Sequence, residues 1–190
     1  MTTRGRPAGP PASTIRPASG GIGRESSPEA EAVSDALRRG GEPLLARRRR
    51  TAALSLLSIG SLGVVAAYQN GLLRHLPEPP LPRLDADRVD ASGEAYQYLK
   101  TPDAAIGLAS TAVTLILAGM GDANRRHARR WIPLALSAKT ILDASFGVFL
   151  TVEQATKHKK FCSWCLVAAL ASVASVPQTL PEAAAALRRR

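Results

Sequence analysis

Both cysteines of this 190-residue chain fall in one short stretch, KKFCSWCLVAALASV, where Cys162 and Cys165 form a single C-x-x-C. An apolar run follows them directly. If that run is a helix, both sulfurs lie on its first turn. The free N–H groups and the positive end of the helix dipole there favour a thiolate. Lys159 and Lys160 add positive charge just upstream. A thiol in such surroundings can have its pKa lowered from about 8.5 into a range of roughly 3.5 to 7.5. It can then attack a disulfide or pass electrons to a bound acceptor. Two other readings stand beside the redox one. His158, Cys162 and Cys165 give H-x3-C-x2-C, half of a zinc site that would need a fourth ligand, with His75 as the remaining candidate. Cysteines also serve as small apolar filler.

A second polar pair, Lys139 and Asp143, stands four residues apart inside another apolar run, WIPLALSAKTILDASFGVFLTV. Ionisable groups in hydrocarbon are expensive, so the pair must face a bundle interior. It suits either a polar wall for a small cofactor or proton path, or an ion pair that locks helix packing. Trp131 and Trp164 mark the ends of apolar runs, where interface anchoring is the ordinary role. Trp164, inside the C-x-x-C, could also stack on a flat ligand.

Four apolar runs must position these residues. They span about 51–69, 104–121, 131–152 and 161–180. Each is near the roughly 20 residues that cross about 30 Å of hydrocarbon as a helix. Only helices satisfy their own backbone hydrogen bonds there. The reading is an all-α integral membrane four-helix bundle. The first run is longer than a signal-peptide core, and no clear A-x-A site follows it, so it reads as a retained helix.

The net charge of +10 would suit nucleic acid if it covered a soluble surface. Instead it is clustered. Arg47 to Arg50 precede the first run, Arg125, Arg126, Arg129 and Arg130 separate the second and third, and Arg188 to Arg190 close the chain. This pattern argues against nucleic acid and places both termini in the cytoplasm. The Asn70–Asp103 loop, with more acidic than basic residues, then lies outside. So do Cys162 and Cys165, on the face where thiol–disulfide chemistry belongs in a bacterial-type cell. Residues 1–50, rich in Arg, Pro, Gly and Ser, read as a disordered cytoplasmic leader, with an amphipathic helix possible near Glu29 to Arg39. Residues 183–190 read as a basic tail.

Four spans, an extracytoplasmic first loop and FCSWCLVAAL opening the last span resemble the vitamin K epoxide reductase family. The first loop strengthens the likeness. VDASGEAY, Val89 to Tyr96, is similar to the family's Val-x-x-Ser followed by Tyr, and Pro102 and Gly107 match its Pro-x4-Gly entry into the second helix. The resemblance covers about 51–182. It implies a bundle around a quinone (menaquinone, ubiquinone or similar) in the inner, cytoplasmic membrane. Cys162 and Cys165 would be the quinone-proximal pair and Ser92 the loop serine near the reaction centre. Trp164, Lys139 and Asp143 are candidate quinone-side residues. The family's second loop cysteine would fall at Ala86, and the chain has no further cysteine. A thioredoxin-like thiol donor would then reach Cys162 or Cys165 directly, with Cys162 as the more exposed sulfur. The function expected is a membrane thiol–disulfide oxidoreductase passing electrons to a quinone. The alternative is a non-catalytic scaffold or quinone-binding protein of the same fold.

Overall fold

The structure, a computed structural model, describes residues 27–96, 100–121 and 129–188. Arg125, Arg126, Arg189, Arg190 and most of the leader lie outside the described residues. Six α-helices are present among those described: α1 (Pro28–Arg39), α2 (Pro43–Gln69), α3 (Ala86–Asp90), α4 (Asp103–Gly119), α5 (Trp131–Glu153) and α6 (Ser163–Leu187). A 3-10 turn covers Gly93–Tyr96, and a π-helical turn, Gln154–His158, extends α5.

α2, α5 with its π turn, and α6 are long and apolar enough to cross a membrane. α4 is shorter, at 17 residues, and at 1.5 Å per residue covers about 25 Å. α6 packs on both α2 and α5, and α2 packs on α4. The chain forms a multi-pass membrane bundle.

Its interior is polar and small. The buried stripe of α2 is Thr51, Ser55, Ser58, Ser61, Val65 and Gln69. Their spacing of three and four residues defines one helix face. Leu56, Leu57, Ile116, Leu142, Phe149 and Leu170 point outward and are exposed. This suits helices in lipid, where small residues let backbones approach and outward apolar groups meet acyl chains. Gly147 of α5 shows how close the approach is: a Cβ built there would lie 3.2 Å from the Ala169 backbone on α6.

α2 begins at Pro43, eight residues ahead of the apolar run itself, so Arg47 to Arg50 are helical. Three of these arginines bind carbonyls that helix geometry leaves free. Arg49 donates to Leu37 and Gly40, closing α1. Arg47 donates to the Pro177 carbonyl, which Pro181 cannot satisfy because it has no N–H. Arg48 is buried. It forms a two-pronged pair with Glu182 at 2.7 and 2.9 Å and donates to Leu117, Ala118 and Met120 at the end of α4. A cluster expected to act only as a topology signal is therefore also structural. Glu182 belongs to α6, which runs on to Leu187.

Candidate functional site

At the opposite end of the bundle, α6 starts directly after Cys162. This residue has extended backbone and acts as the N-cap, its sulfur accepting the Cys165 N–H at 3.2 Å. The sulfur thus takes the place of the usual Ser or Asp capping oxygen. Gln154, buried in the π turn, accepts the Cys162 N–H at 3.1 Å. Glu78, from the first loop, accepts the Ser163 N–H at 2.6 Å and the Ala86 N–H at 2.6 Å. Three side chains from three parts of the chain therefore hold the N–H groups of Cys162, Ser163 and Cys165 at the start of α6.

The first loop is fastened over this end at further points. Leu84 and Phe161 form a parallel bridge, with Asp85 donating to Phe161 and Phe161 to Arg83. The Trp164 indole donates to Pro77 at 2.8 Å, and Lys160 donates to Pro82. Gln69, at the end of α2, donates to the Asp90 backbone and to the Asp103 carboxylate and accepts from Ala104. This clasp sets α3 against the start of α4. It leaves Asp90 buried, 3 % exposed, with one carboxylate oxygen 3.4 Å from the Cys165 sulfur. The other oxygen has no hydrogen-bond partner among the described residues. One ligand atom from each of Asp90, Cys162 and Cys165 lies within 4.8 Å of the others.

Burial is the main cause that pushes the Asp90 carboxyl up to about 6. Hydrogen bonds with the two thiols oppose it, while the Asp103 and Glu78 carboxylates add to it. Cys162, the residue before the α6 span, is raised as a thiol. Its hydrogen bond with Cys165 lowers it, but burial and the Asp90 carboxylate outweigh that. The depression expected from the helix start and the two lysines is therefore overturned for Cys162. Lys160 is held by Pro82, Lys159 is exposed, and the charged group that meets the sulfurs is a carboxylate. The expected exposure order is reversed too. Cys162 has no accessible surface, whereas Cys165 retains some, because the first loop covers the helix start.

His75 and His158 stay apart from the thiols. His75 pairs with Asp87 and His158 with Glu94. Asp90 supplies a third donor atom instead, one short of a closed zinc shell. Ser92 follows Asp90 by two residues. Its backbone bonds to Val89 and Ala95, and its hydroxyl makes no hydrogen bond to either thiol. Trp164 packs against the cluster of Val65, Leu76, Ala86, Val89, Ala104 and Cys162. Lys139 and Asp143 form a separate network. They pair with each other, Lys139 donates to Ser110, and Asp143 accepts from Ser110 and Thr114. Neither bonds to a cysteine. Asp143 lines a narrow cleft with Ser55, Ser58, Thr140 and Ser175.

Sequence reasoning singled out Cys162 and Cys165 but missed Asp90, Glu78 and Gln154. Asp90 was in plain view inside VDASGEAY, yet an acidic residue in a polar loop carries no local sign of burial.

Fold and site together define a multi-pass membrane helical protein whose paired thiols open the last span beneath an ordered loop. The model of the vitamin K epoxide reductase family matches residues 50–180, and the chain belongs to that family. No curated protein and no solved structure matches it.

Proposed function

We propose that the chain is a membrane thiol–quinone oxidoreductase, in which Cys162 and Cys165 form a disulfide as two electrons leave for a quinone. The observation that carries this reading is the convergence of two free thiols and a buried carboxylate at the start of a membrane helix. Family membership supports a quinone as the acceptor. The residues present suit such a group. The unpartnered Asp90 oxygen is an acceptor that a hydroquinone O–H fits. Val64, Ala66, Tyr68 and Trp164 give the same region apolar and aromatic surface. When bound, a quinone supplies a two-electron, two-proton acceptor. Ser92 and Trp164 flank the dithiol in this reading. Lys139 and Asp143 tie α4 to α5 through Ser110 and Thr114.

Electrons enter from a thioredoxin-like partner without a loop cysteine pair, since the chain has only two cysteines. Thiol exchange requires an accessible sulfur. The Glu78–Ser163 and Trp164–Pro77 contacts must therefore open before a partner can reach Cys162. The arginine clusters support a cytoplasmic-membrane location, with both termini in the cytoplasm and the cysteines on the outer face.

The full chain in lipid nanodiscs, reduced with a dithiol, should reduce a short-chain benzoquinone or naphthoquinone analogue. Cys162→Ser and Cys165→Ser should each abolish this, and Cys165→Ser should trap a mixed disulfide with a thioredoxin-like donor. No quinone reduction by the parent, alone or with such donors, would overturn the reading. The absent loop cysteines and the covered Cys162 favour a second reading, a non-catalytic scaffold. That reading expects cysteine substitutions to alter stability only.

A further inference from the structure

We infer that Asp90 is the proton acceptor for the dithiol, one carboxylate oxygen receiving the Cys165 proton and the other, which has no partner among the described residues, releasing it. This rests on the reading of Cys162 and Cys165 as the redox pair. The geometry is specific. Oδ1 stands 3.4 Å from the Cys165 sulfur, and Oδ2 is buried with no hydrogen-bond partner among the described residues. A buried polar atom without a partner costs free energy, and here it is aimed from the same carboxylate that meets the reacting sulfur. The Asp90 backbone is held by Gln69, so the carboxylate is fixed from behind.

Two S–H bonds break, one S–S bond forms, and two electrons and two protons leave with a quinone-class oxidant, which becomes a hydroquinone. Asp90 carries the protons one after the other, both sulfurs lying within 4.8 Å of the carboxylate. A base must be ionised at working pH and close to the proton in affinity. A carboxyl pushed up to about 6 meets both demands. Among the described residues, the titratable groups that act on or with Asp90 are Cys162 at the N-cap of α6, Cys165 on α6, Asp103 on α4, Glu78 in the first loop and Tyr68 on α2. None of these is a cation that would hold the carboxylate permanently ionised.

The test uses the full chain in nanodiscs and needs no quinone. In a Cys162→Ser background, where serine can keep the N-cap, Cys165 is the sole thiol. Its alkylation by a neutral maleimide is followed from pH 5 to 8. The rate should rise with pH and level off above about 6. Adding Asp90→Asn should lower it by about 100-fold and remove the inflection, and Asp90→Glu should restore an inflection. An Asp90→Asn profile that matches its parent overturns the proposal. If the Asn variant does not fold, the parent profile decides, because a rate without an inflection near 6 overturns it equally. Quinone reduction is measured separately. A parent that fails to reduce the quinone sinks the oxidoreductase reading, while an Asp90→Asn enzyme that reduces it at the parental rate sinks the role of Asp90 alone.

Discussion

The Glu78 carboxylate accepts the backbone N–H of Ser163 at 2.6 Å, so a residue of the first loop caps the helix that carries both cysteines. The same side chain accepts from Ala86 at the start of α3. One carboxylate therefore joins the loop that covers the thiols to the helix that presents them.

Glu78→Ala should remove this cap and destabilise the protein by about 1–2 kcal/mol, the usual cost of a lost N-cap. It should also loosen the loop over Cys162, which has no accessible surface in the intact protein. Thermal unfolding in nanodiscs reads the first effect and the Cys162 alkylation rate the second. Unchanged alkylation would show that the loop does not depend on Glu78.

Asp90 predicts a pH-dependent stability whose sign follows from burial. Its folded pKa is raised from 3.8 to about 6, so the folded state binds the proton more tightly than the unfolded chain. The stability from this group is fully present below pH 3.8 and is lost as pH rises through about 6. The loss is on the order of 3 kcal/mol. Asp90→Asn should flatten the dependence and be more stable than the parent at pH 7.5, while slowing Cys165 chemistry. Unfolding midpoints from pH 4 to 8 check this. Equal slopes in both proteins would refute it.

The Arg48–Glu182 pair, with both side chains 3 % exposed, binds α2 to α6 at the far end of the bundle. Removing one partner strands a buried charge. Arg48→Met or Glu182→Leu alone should each cost about 3–5 kcal/mol, and the double variant should recover much of that. Arg48 also serves three α4 carbonyls, so Arg48→Met should be the worse single change. A double-mutant cycle measured by unfolding tests both statements.

Gly147 lies at a close contact between α5 and α6. Gly147→Leu should overpack the contact with Ala169 and cost about 1–3 kcal/mol. Gly147→Ala requires the 3.2 Å contacts to give by only a few tenths of an ångström and should be milder. Melting of the two variants in nanodiscs ranks them, and equal melting would remove the helix contact as the cause.

Much of the architecture was legible in the residues taken alone. Uninterrupted apolar runs report helices in lipid, because the backbone has no other partner there. The C-x-x-C marked the reactive end, and FCSWCLVAAL with VDASGEAY marked the family. These signals are local: each is complete within one helix or one loop. Only the tertiary structure decided which groups meet the sulfurs. Asp90 and Cys165 are 75 residues apart, Glu78 and Ser163 are 85, and Arg48 and Glu182 are 134. Charge at the thiols was expected to be positive because lysines adjoin them in the chain, and it is negative because the folded loop brings a carboxylate instead. Sequence neighbours set the helix; burial and loop closure, which depend on distant residues arriving together, set the proton affinities and the access to the site.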